Sequence, residues 1–214
     1  MRDFFRTLSI LFFLSPFCNI FAQTKPASIP GEYHLQGVME TASAILLKPD
    51  STFELYFSYG AMDRQGRGTW SFNQGKITLK CGPKPLVDFA LTESKSTPDS
   101  LTTVKITAPN SQLLPHFEVT IRSNTGDHYG KTDSEGIFQI PKTAVASIEL
   151  FFKFCPERYS TFPIQKTDNY FEFRVEPWIA EIFSDNIVLT FSKNGLVGQH
   201  PLLKGDSFIY SRAK

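Results

Sequence analysis

Residues 60–68 hold the densest group of side chains that could take part in chemistry. The segment leads from an aromatic strand-like run to Trp70, and it combines several glycines with Asp63, Arg64 and Arg67. A carboxylate and two guanidinium groups on a loop can hold a ligand by ion pairs and hydrogen bonds. The pattern predicts a ligand-binding loop formed by Asp63, Arg64, Arg67 and Trp70. The alternative is an exposed hairpin connection, with Trp70 in the core because it alternates with polar neighbours.

Side chains that commonly carry catalysis are scattered. The sequence has no HExxH, GxSxG, P-loop or GxGxxG motif, and its four histidines lack the spacing that brings two of them to one metal ion. The nearest ligand-type group is Asp127 and His128 with Asp133 and Glu135. It is typical of acids in a turn, with weak calcium binding as the alternative. We therefore predict no catalytic residue, no metal site and no cofactor.

Residues 1–22 differ in composition from the rest of the chain. Arg2 and Arg6 form a basic start, an apolar run follows, and Ala22 supplies a small residue at its exit. This order is typical of a secretory signal peptide cleaved after Ala22. Lipidation at Cys18 and an uncleaved anchor are the alternatives. The apolar run is too short to span a membrane, and no later stretch reaches the required length.

Cys81 and Cys155 each stand at the end of a strand-like run. In an exported and oxidising setting, two such cysteines can form a disulfide if their Cβ atoms meet. The alternative is two separate buried thiols that behave as small apolar residues. The cysteine spacing does not match a zinc site.

Composition excludes some classes of partner. The 214 residues are 41% hydrophobic and 14% aromatic, which is typical of a folded protein rather than a disordered one. The net charge is +1, and no segment concentrates basic residues. Nucleic-acid binding needs clustered Lys and Arg, so the sequence predicts no nucleic-acid partner.

Apolar and polar residues alternate with a period of two through most of the chain. The pattern is clearest at residues 52–59, 76–80, 103–107, 117–122, 171–175 and 187–191. Such runs, separated by turn residues, predict antiparallel strands with one face on a core, and hence an all-β sandwich or barrel. Residues 177–183 are the only segment that suggests a turn or two of helix.

Polar segments divide the chain. Residues 93–100 are polar enough for an exposed loop, and 108–115 link the strand-like runs on either side. We place a first β domain at 30–108 and a second at 114–175. The strands in 176–214 either extend the second domain or return to complete the first.

The stretch GKTDSEGIFQIP at residues 130–141 resembles the G-x-T-D-x-x-G-x-F-x-I-P segment of carboxypeptidase regulatory-like domains, which are transthyretin-like sandwiches. Asp133 and Gly136 fit a tight turn between hairpin strands, and Phe138 is expected to point into the core. Arg158 stands before Tyr159 where the family often has a Gly-Tyr pair. The resemblance implies a non-catalytic accessory or adhesive module.

A second resemblance concerns residues 31–79. Gly31-Glu32-Tyr33, Asp50-Ser51-Thr52-Phe53 and Gly68-Thr69-Trp70 are similar in rhythm to bacterial lipocalin-like domains. The resemblance implies a barrel that strands 187–191 and 206–211 would complete, with the transthyretin-like part as an insertion. The whole chain is also similar to a group of exported bacterial proteins, which implies no activity.

Three functional hypotheses follow. The first is an exported, non-enzymatic protein that binds an envelope protein or a glycan, in the periplasm, on the outer-membrane surface or in secreted form. The second is a lipocalin-like carrier with a small apolar ligand in a deep cavity within residues 30–108. The third is a hydrolase whose carboxylates meet only in the folded chain.

Overall fold

The structure is all-β, as the alternating pattern predicts. A computed structural model describes residues 29–60, 62–165, 167–193, 195–205 and 207–213, so the predicted signal peptide and Cys18 lie outside the described residues. Two short 3-10 helices are Ser111–His116 and Pro177–Ala180. The strands are β1 (Gly31–Gln36), β2 (Thr41–Leu47), β3 (Thr52–Tyr59), β4 (Met62–Asn73), β5 (Lys76–Cys81), β6 (Phe89–Lys95), β7 (Leu101–Thr107), β8 (Phe117–Ser123), β9 (Gly126–Lys131), β10 (Ile137–Pro141), β11 (Val145–Phe152), β12 (Tyr159–Pro163), β13 (Tyr170–Val175), β14 (Ile187–Ser192), β15 (Gly195–Gly198) and β16 (Phe208–Arg212).

Eight strands close into an antiparallel barrel in the order β1–β16–β15–β14–β5–β4–β3–β2. The strands follow one another along the chain except where β5 pairs with β14 and where β1 pairs with β16 to close the barrel. In the closing pair, Leu35 lies opposite Tyr210. Strands β14–β16, in the segment 176–214, therefore return to complete the barrel begun by β1–β5, and they do not extend the second domain.

Side chains from all eight strands fill the barrel interior. In β3, for example, Phe53, Leu55 and Phe57 point inward and are buried, and Glu54 between them is exposed. Each strand contributes at least one such residue, among them Tyr33, Ile45, Phe53, Trp70, Ile77, Leu189, Leu196 and Tyr210. The barrel is thus a packed core, which does not favour a carrier that holds its ligand deep inside the barrel.

Strands β6–β13 form two four-stranded sheets, β10–β7–β13–β6 and β12–β11–β8–β9. Both sheets contribute to one apolar core, in which Val104 and Phe173 from the first sheet join Phe117 and Ile148 from the second. β7 and β13 run parallel, and the other neighbours are antiparallel. The unit is a β-sandwich inserted between barrel strands β5 and β14.

The sandwich begins earlier in the chain than the predicted domain boundary at 108. β6 and β7, which the division into 30–108 and 114–175 assigns to the first domain, pair with β13 and β10 in the sandwich. The polar stretch 93–100 contains the end of β6 and the connection to β7. Periodicity shows that a segment forms a strand, but not which strand it pairs with, and this is why the predicted boundary is wrong.

The turn at residues 133–136 forms as expected, but it does not join a hairpin. The Asp133 carboxylate accepts hydrogen bonds from the backbone N–H groups of Glu135 and Ile137, both at 2.9 Å. Gly136 has φ +79°, and a Cβ there would lie 2.2 Å from the Ile106 carbonyl oxygen. The strands on either side, β9 and β10, lie in opposite sheets, so the turn crosses between the sheets. Phe138, just after it, packs against the sandwich core.

A buried ion pair fixes the barrel against the sandwich. Arg158 and Asp88 are both 2% exposed, and the Arg158 Nε donates to the Asp88 carboxylate at 2.9 Å while Nη2 donates to its other oxygen. Arg158 Nη1 donates to the Glu181 carbonyl at 3.0 Å, and the guanidinium lies 4.9 Å from the ring centroid of Phe183. Asp88 precedes the first sandwich strand and Glu181 belongs to the return to the barrel, so Arg158 binds both connections.

We expect Arg158→Met to lower the free energy of unfolding by about 3–5 kcal/mol, because it leaves the Asp88 charge buried and unpaired. Urea denaturation followed by circular dichroism measures the loss. The control is Arg67→Met, since Arg67 is 80% exposed and its pair with Glu181 spans 3.4 Å; there the loss is expected to stay below about 1 kcal/mol. The double variant Asp88→Leu/Arg158→Met should recover part of the stability, and equal losses in Arg158→Met and Arg67→Met would contradict the assignment.

We expect Gly68→Ala to destabilise the barrel, because β4 and β5 approach too closely for a side chain at that position. A Cβ on Gly68 would lie 2.0 Å from the Lys80 carbonyl oxygen and 2.8 Å from the Cys81 Cα. The expected loss is about 1–3 kcal/mol, measured by thermal denaturation. Gly82→Ala is the matched control, since nothing lies within 4 Å of the added atom. A Gly68→Ala protein as stable as the Gly82→Ala protein would show that the strands can separate at little cost.

Candidate functional site

The predicted binding loop is part of a strand. Residues Met62–Asn73 form β4, which pairs along its length with β3 and β5. Alternation sends Asp63 and Arg67 outward and Arg64 and Trp70 inward. The structure therefore does not bring the four predicted ligand-binding residues together, and the prediction of a single loop site is wrong.

Each of the four residues has its own surroundings. Asp63 accepts a hydrogen bond from the Tyr56 hydroxyl at 2.9 Å, and hydrogen bonds from Ser58 and Tyr56 lower the pKa of its carboxyl. Arg67 lies on the outer barrel wall, in a cleft of about 510 Å³. Trp70 is 3% exposed and donates from Nε1 to the Lys48 carbonyl at 2.9 Å, so it belongs to the core. Arg64 is buried at the end of the barrel that meets the sandwich.

Of the two alternatives for Cys81 and Cys155, the structure shows separate buried thiols and not a disulfide. Cys81 and Cys155 are both free and buried. Cys81 packs in the barrel core and Cys155 in the sandwich core, so the two strand ends that look alike in sequence belong to different units. Burial raises the pKa of both thiols, that of Cys155 to about 11, which keeps them as neutral thiols at neutral pH.

A buried Ser–His pair lies inside the barrel, and no sequence motif indicates it. The His200 Nε2 is 3.2 Å from the Ser43 Oγ, and His200 is 4% exposed among the rings of Phe57, Phe208 and Tyr210. His200 Nδ1 accepts a hydrogen bond from the Leu202 backbone N–H at 3.0 Å. The proton of the neutral ring is therefore on Nε2, which donates to Ser43. An imidazole in this tautomer cannot take a proton from Ser43, so the pair does not form an activated nucleophile.

The residues that the structure describes contain no group of three or more His, Cys, Asp and Glu side chains arranged to hold a metal ion. Within the same ranges, no helix has the length and the apolar character required to cross a membrane.

The outer face of the β12–β11–β8–β9 sheet carries the most distinctive group of exposed side chains. Tyr129 on β9 and Tyr159 on β12 are 64% and 67% exposed, and half-buried Phe151 on β11 lies opposite Tyr159. Between the two tyrosines stand the carboxylates of Glu118 and Glu149. These five residues, which we call the aromatic face, line a shallow depression of about 260 Å³.

Hydrogen bonds hold the polar groups of the aromatic face in place. The Tyr129 hydroxyl donates to the Glu118 carboxylate, and this bond is the main reason that the pKa of Tyr129 is raised. Arg122 donates to both oxygens of Glu149, at 3.0 and 3.1 Å, and also to Asp127. Both carboxylates are thus oriented by neighbours and still partly exposed, 19% for Glu118 and 31% for Glu149.

Sequence reasoning did not find the aromatic face. Its members stand on four strands, separated by up to 41 positions between Glu118 and Tyr159. Only the registers of the strand pairs place them side by side, with Phe151 opposite both Glu118 and Tyr159. The signal available in the sequence was a tyrosine in each of two strand segments, Tyr129 in β9 and Tyr159 in β12, and both side chains point away from the core.

None of the protein-family models, curated proteins and solved structures compared with this chain matches it. The chemistry of the exposed groups is therefore the basis for a functional assignment.

The buried imidazole predicts a pH dependence of stability. Burial lowers the pKa of His200 from 6.5 to about 4 in the folded protein. Between these two values the unfolded chain binds a proton that the folded chain does not. The contribution of the neutral His200 to the free energy of unfolding is therefore fully present above pH 6.5. As the pH falls towards 4 the free energy of unfolding decreases, by at most about 3 kcal/mol in total.

Urea denaturation at several pH values between 7.5 and 4 measures this dependence. His200→Gln should flatten the decline between pH 6.5 and 4, whereas His34→Gln, which changes an exposed histidine, should leave it as in the wild type. An unchanged slope in His200→Gln would assign the acid sensitivity to other groups.

Proposed function

We propose that this protein is an exported, non-enzymatic binding protein that holds a glycan on the aromatic face. The observation that carries the proposal is the pair of exposed tyrosines with oriented carboxylates between them on the outer face of one sheet. Residues 1–22 support export by their composition, and the periplasm, the outer-membrane surface and the secreted state all agree with it.

Stacking is the first argument for a glycan. A sugar ring presents a face of C–H groups that carry a partial positive charge, and the negative face of an aromatic ring attracts it. Tyr129 and Tyr159 are exposed enough to meet such a ring, and a tyrosine loses little conformational freedom when it is covered.

Hydrogen bonding is the second argument. Ionised carboxylates only accept hydrogen bonds, and sugar hydroxyls donate them. Glu118 and Glu149 are held by Tyr129 and Arg122 and offer their remaining lone pairs along the depression. Three carboxylates, Glu118, Glu149 and Asp127, stand with two cations, Arg122 and Lys131, on this face. The excess of negative charge leads us to expect that neutral or amino sugars are preferred over uronic acids.

The spacing of the tyrosines sets the length of the ligand. β12 and β9 are three strand spacings apart in the sheet, which is about 14 Å. This distance is longer than one sugar ring, so an oligosaccharide is needed to contact both tyrosines. A linear glycan that crosses the strands fits this arrangement.

The acidic residues in the cleft on the barrel wall agree with a binding role. Glu32, Glu54 and Glu181 line the cleft on the barrel wall, and two carboxylates on either side of a cleft are what a glycoside hydrolase requires. Each has a basic neighbour within 4 Å, His34, Lys48 and Arg67 respectively. Such pairing favours a structural surface over a poised acid and base.

Isothermal titration with linear tetrasaccharides of glucose, N-acetylglucosamine, mannose and galactose tests the proposal. At least one should bind saturably, and Tyr129→Ala and Tyr159→Ala should each lower its affinity about tenfold or more, because each removes one stacking platform. Tyr59→Ala is the matched control, since Tyr59 is 58% exposed but lies on the barrel.

Two results would count against the proposal. One is that no sugar in the panel binds. The other is that the best sugar binds both tyrosine variants as tightly as the wild type. Capture of a protein that depends on Tyr129 and Tyr159, without sugar binding, would assign the aromatic face to an envelope protein instead.

A further inference from the structure

A cleft lies where the barrel meets the sandwich, and it is separate from the aromatic face. Its volume is about 460 Å³, within the range of roughly 300–1,000 Å³ that is typical of small-molecule sites. Three segments form its walls: the β3–β4 hairpin, the loop after β11 and the loop between β15 and β16. We call it the junction cleft, and its apolar lining includes Tyr59, Met62, Phe154, Pro156, Leu202 and Leu203.

The junction cleft also contains a buried cation. Arg64 is 4% exposed, and its Nε donates to the Ala180 carbonyl at 3.2 Å. Its Nη2 donates to the carboxylate of Glu157, whose side chain is 45% exposed. A guanidinium in a largely apolar site requires an anion beside it, and here that anion comes from a half-exposed side chain.

The ionised side chains that line the cleft carry an excess of positive charge. Lys153 is exposed on the wall opposite the hairpin, so that two cations, Arg64 and Lys153, stand against the single carboxylate of Glu157. Low dielectric surroundings strengthen the attraction of this excess for an anion. The cleft therefore combines an apolar wall with a cationic end.

We propose that the junction cleft binds a single-chain amphiphile with a carboxylate head group, of the fatty-acid type. The carboxylate lies beside Arg64 and Lys153 and shares the guanidinium with Glu157. The alkyl chain covers Met62, Phe154 and the leucines at 202 and 203, which are only partly buried without a ligand. This site differs from the deep barrel cavity of a carrier, because the ligand lies at the barrel end, against the sandwich.

Titration calorimetry of the whole protein with dodecanoate, below its micelle concentration, is the first test. We expect one saturable site per chain. Decanoate is two methylene groups shorter and should bind about fifteenfold more weakly, since each methylene group contributes about fourfold to affinity. Dodecyltrimethylammonium has the same tail with a cationic head, and it should bind at least about tenfold more weakly than dodecanoate. Equal binding of the two dodecyl probes, or no saturable dodecanoate site, would overturn the proposal.

Two substitutions of exposed side chains test the position of the head group. Glu157→Gln removes the carboxylate that shares Arg64, so dodecanoate should bind about three- to tenfold more tightly. Lys153→Met removes a cation, so affinity should fall about threefold. Lys80→Met removes an exposed lysine of β5 that does not line the cleft, so it should bind dodecanoate as the wild type does. Unchanged or weaker binding by Glu157→Gln, or an equal loss in Lys80→Met and Lys153→Met, would show that the head group does not lie at Arg64.

Discussion

The buried pair of Arg158 and Asp88 is the interaction on which the arrangement of the molecule depends. The chain leaves the barrel after β5 and returns to it at β14, so two connections must run side by side between the barrel and the sandwich. Arg158 reaches both, through the Asp88 carboxylate on the outgoing segment and the Glu181 carbonyl on the returning one. Because neither charge is solvated, each holds the other in place more firmly than an exposed pair could.

Three consecutive residues connect this junction to both proposed binding surfaces. Glu157 faces the junction cleft, Arg158 is buried between the units, and Tyr159 begins β12 on the aromatic face. The segment cannot shift to suit one surface without moving the others, since Arg158 is held on several sides. Arg158 is thus the residue that anchors the sandwich to the barrel.

The sequence predicted those features of the fold that depend only on residues close together in the chain. A period of two identifies strands, and Asp133 with Gly136 identifies a turn, because both are local properties. Sheet membership and the aromatic face depend on pairing between distant segments, which no local pattern contains. The glycines of β4 were misleading for a related reason: they suggested a flexible loop, but Gly66 and Gly68 are needed because Ile182 and β5 approach the strand closely.

The insertion of the sandwich within the barrel has a consequence for the order of folding. β1–β5 cannot close a barrel by themselves, since β14–β16 come after the whole sandwich has been synthesised. The sandwich strands are contiguous along the chain, so the sandwich can form while the five barrel strands before it remain an open sheet with two free edges. Closure then joins Tyr33 to Arg212 across almost the full length of the described chain. Such long-range closure is slow, which makes the half-built barrel the state most exposed to aggregation and to capture by a chaperone.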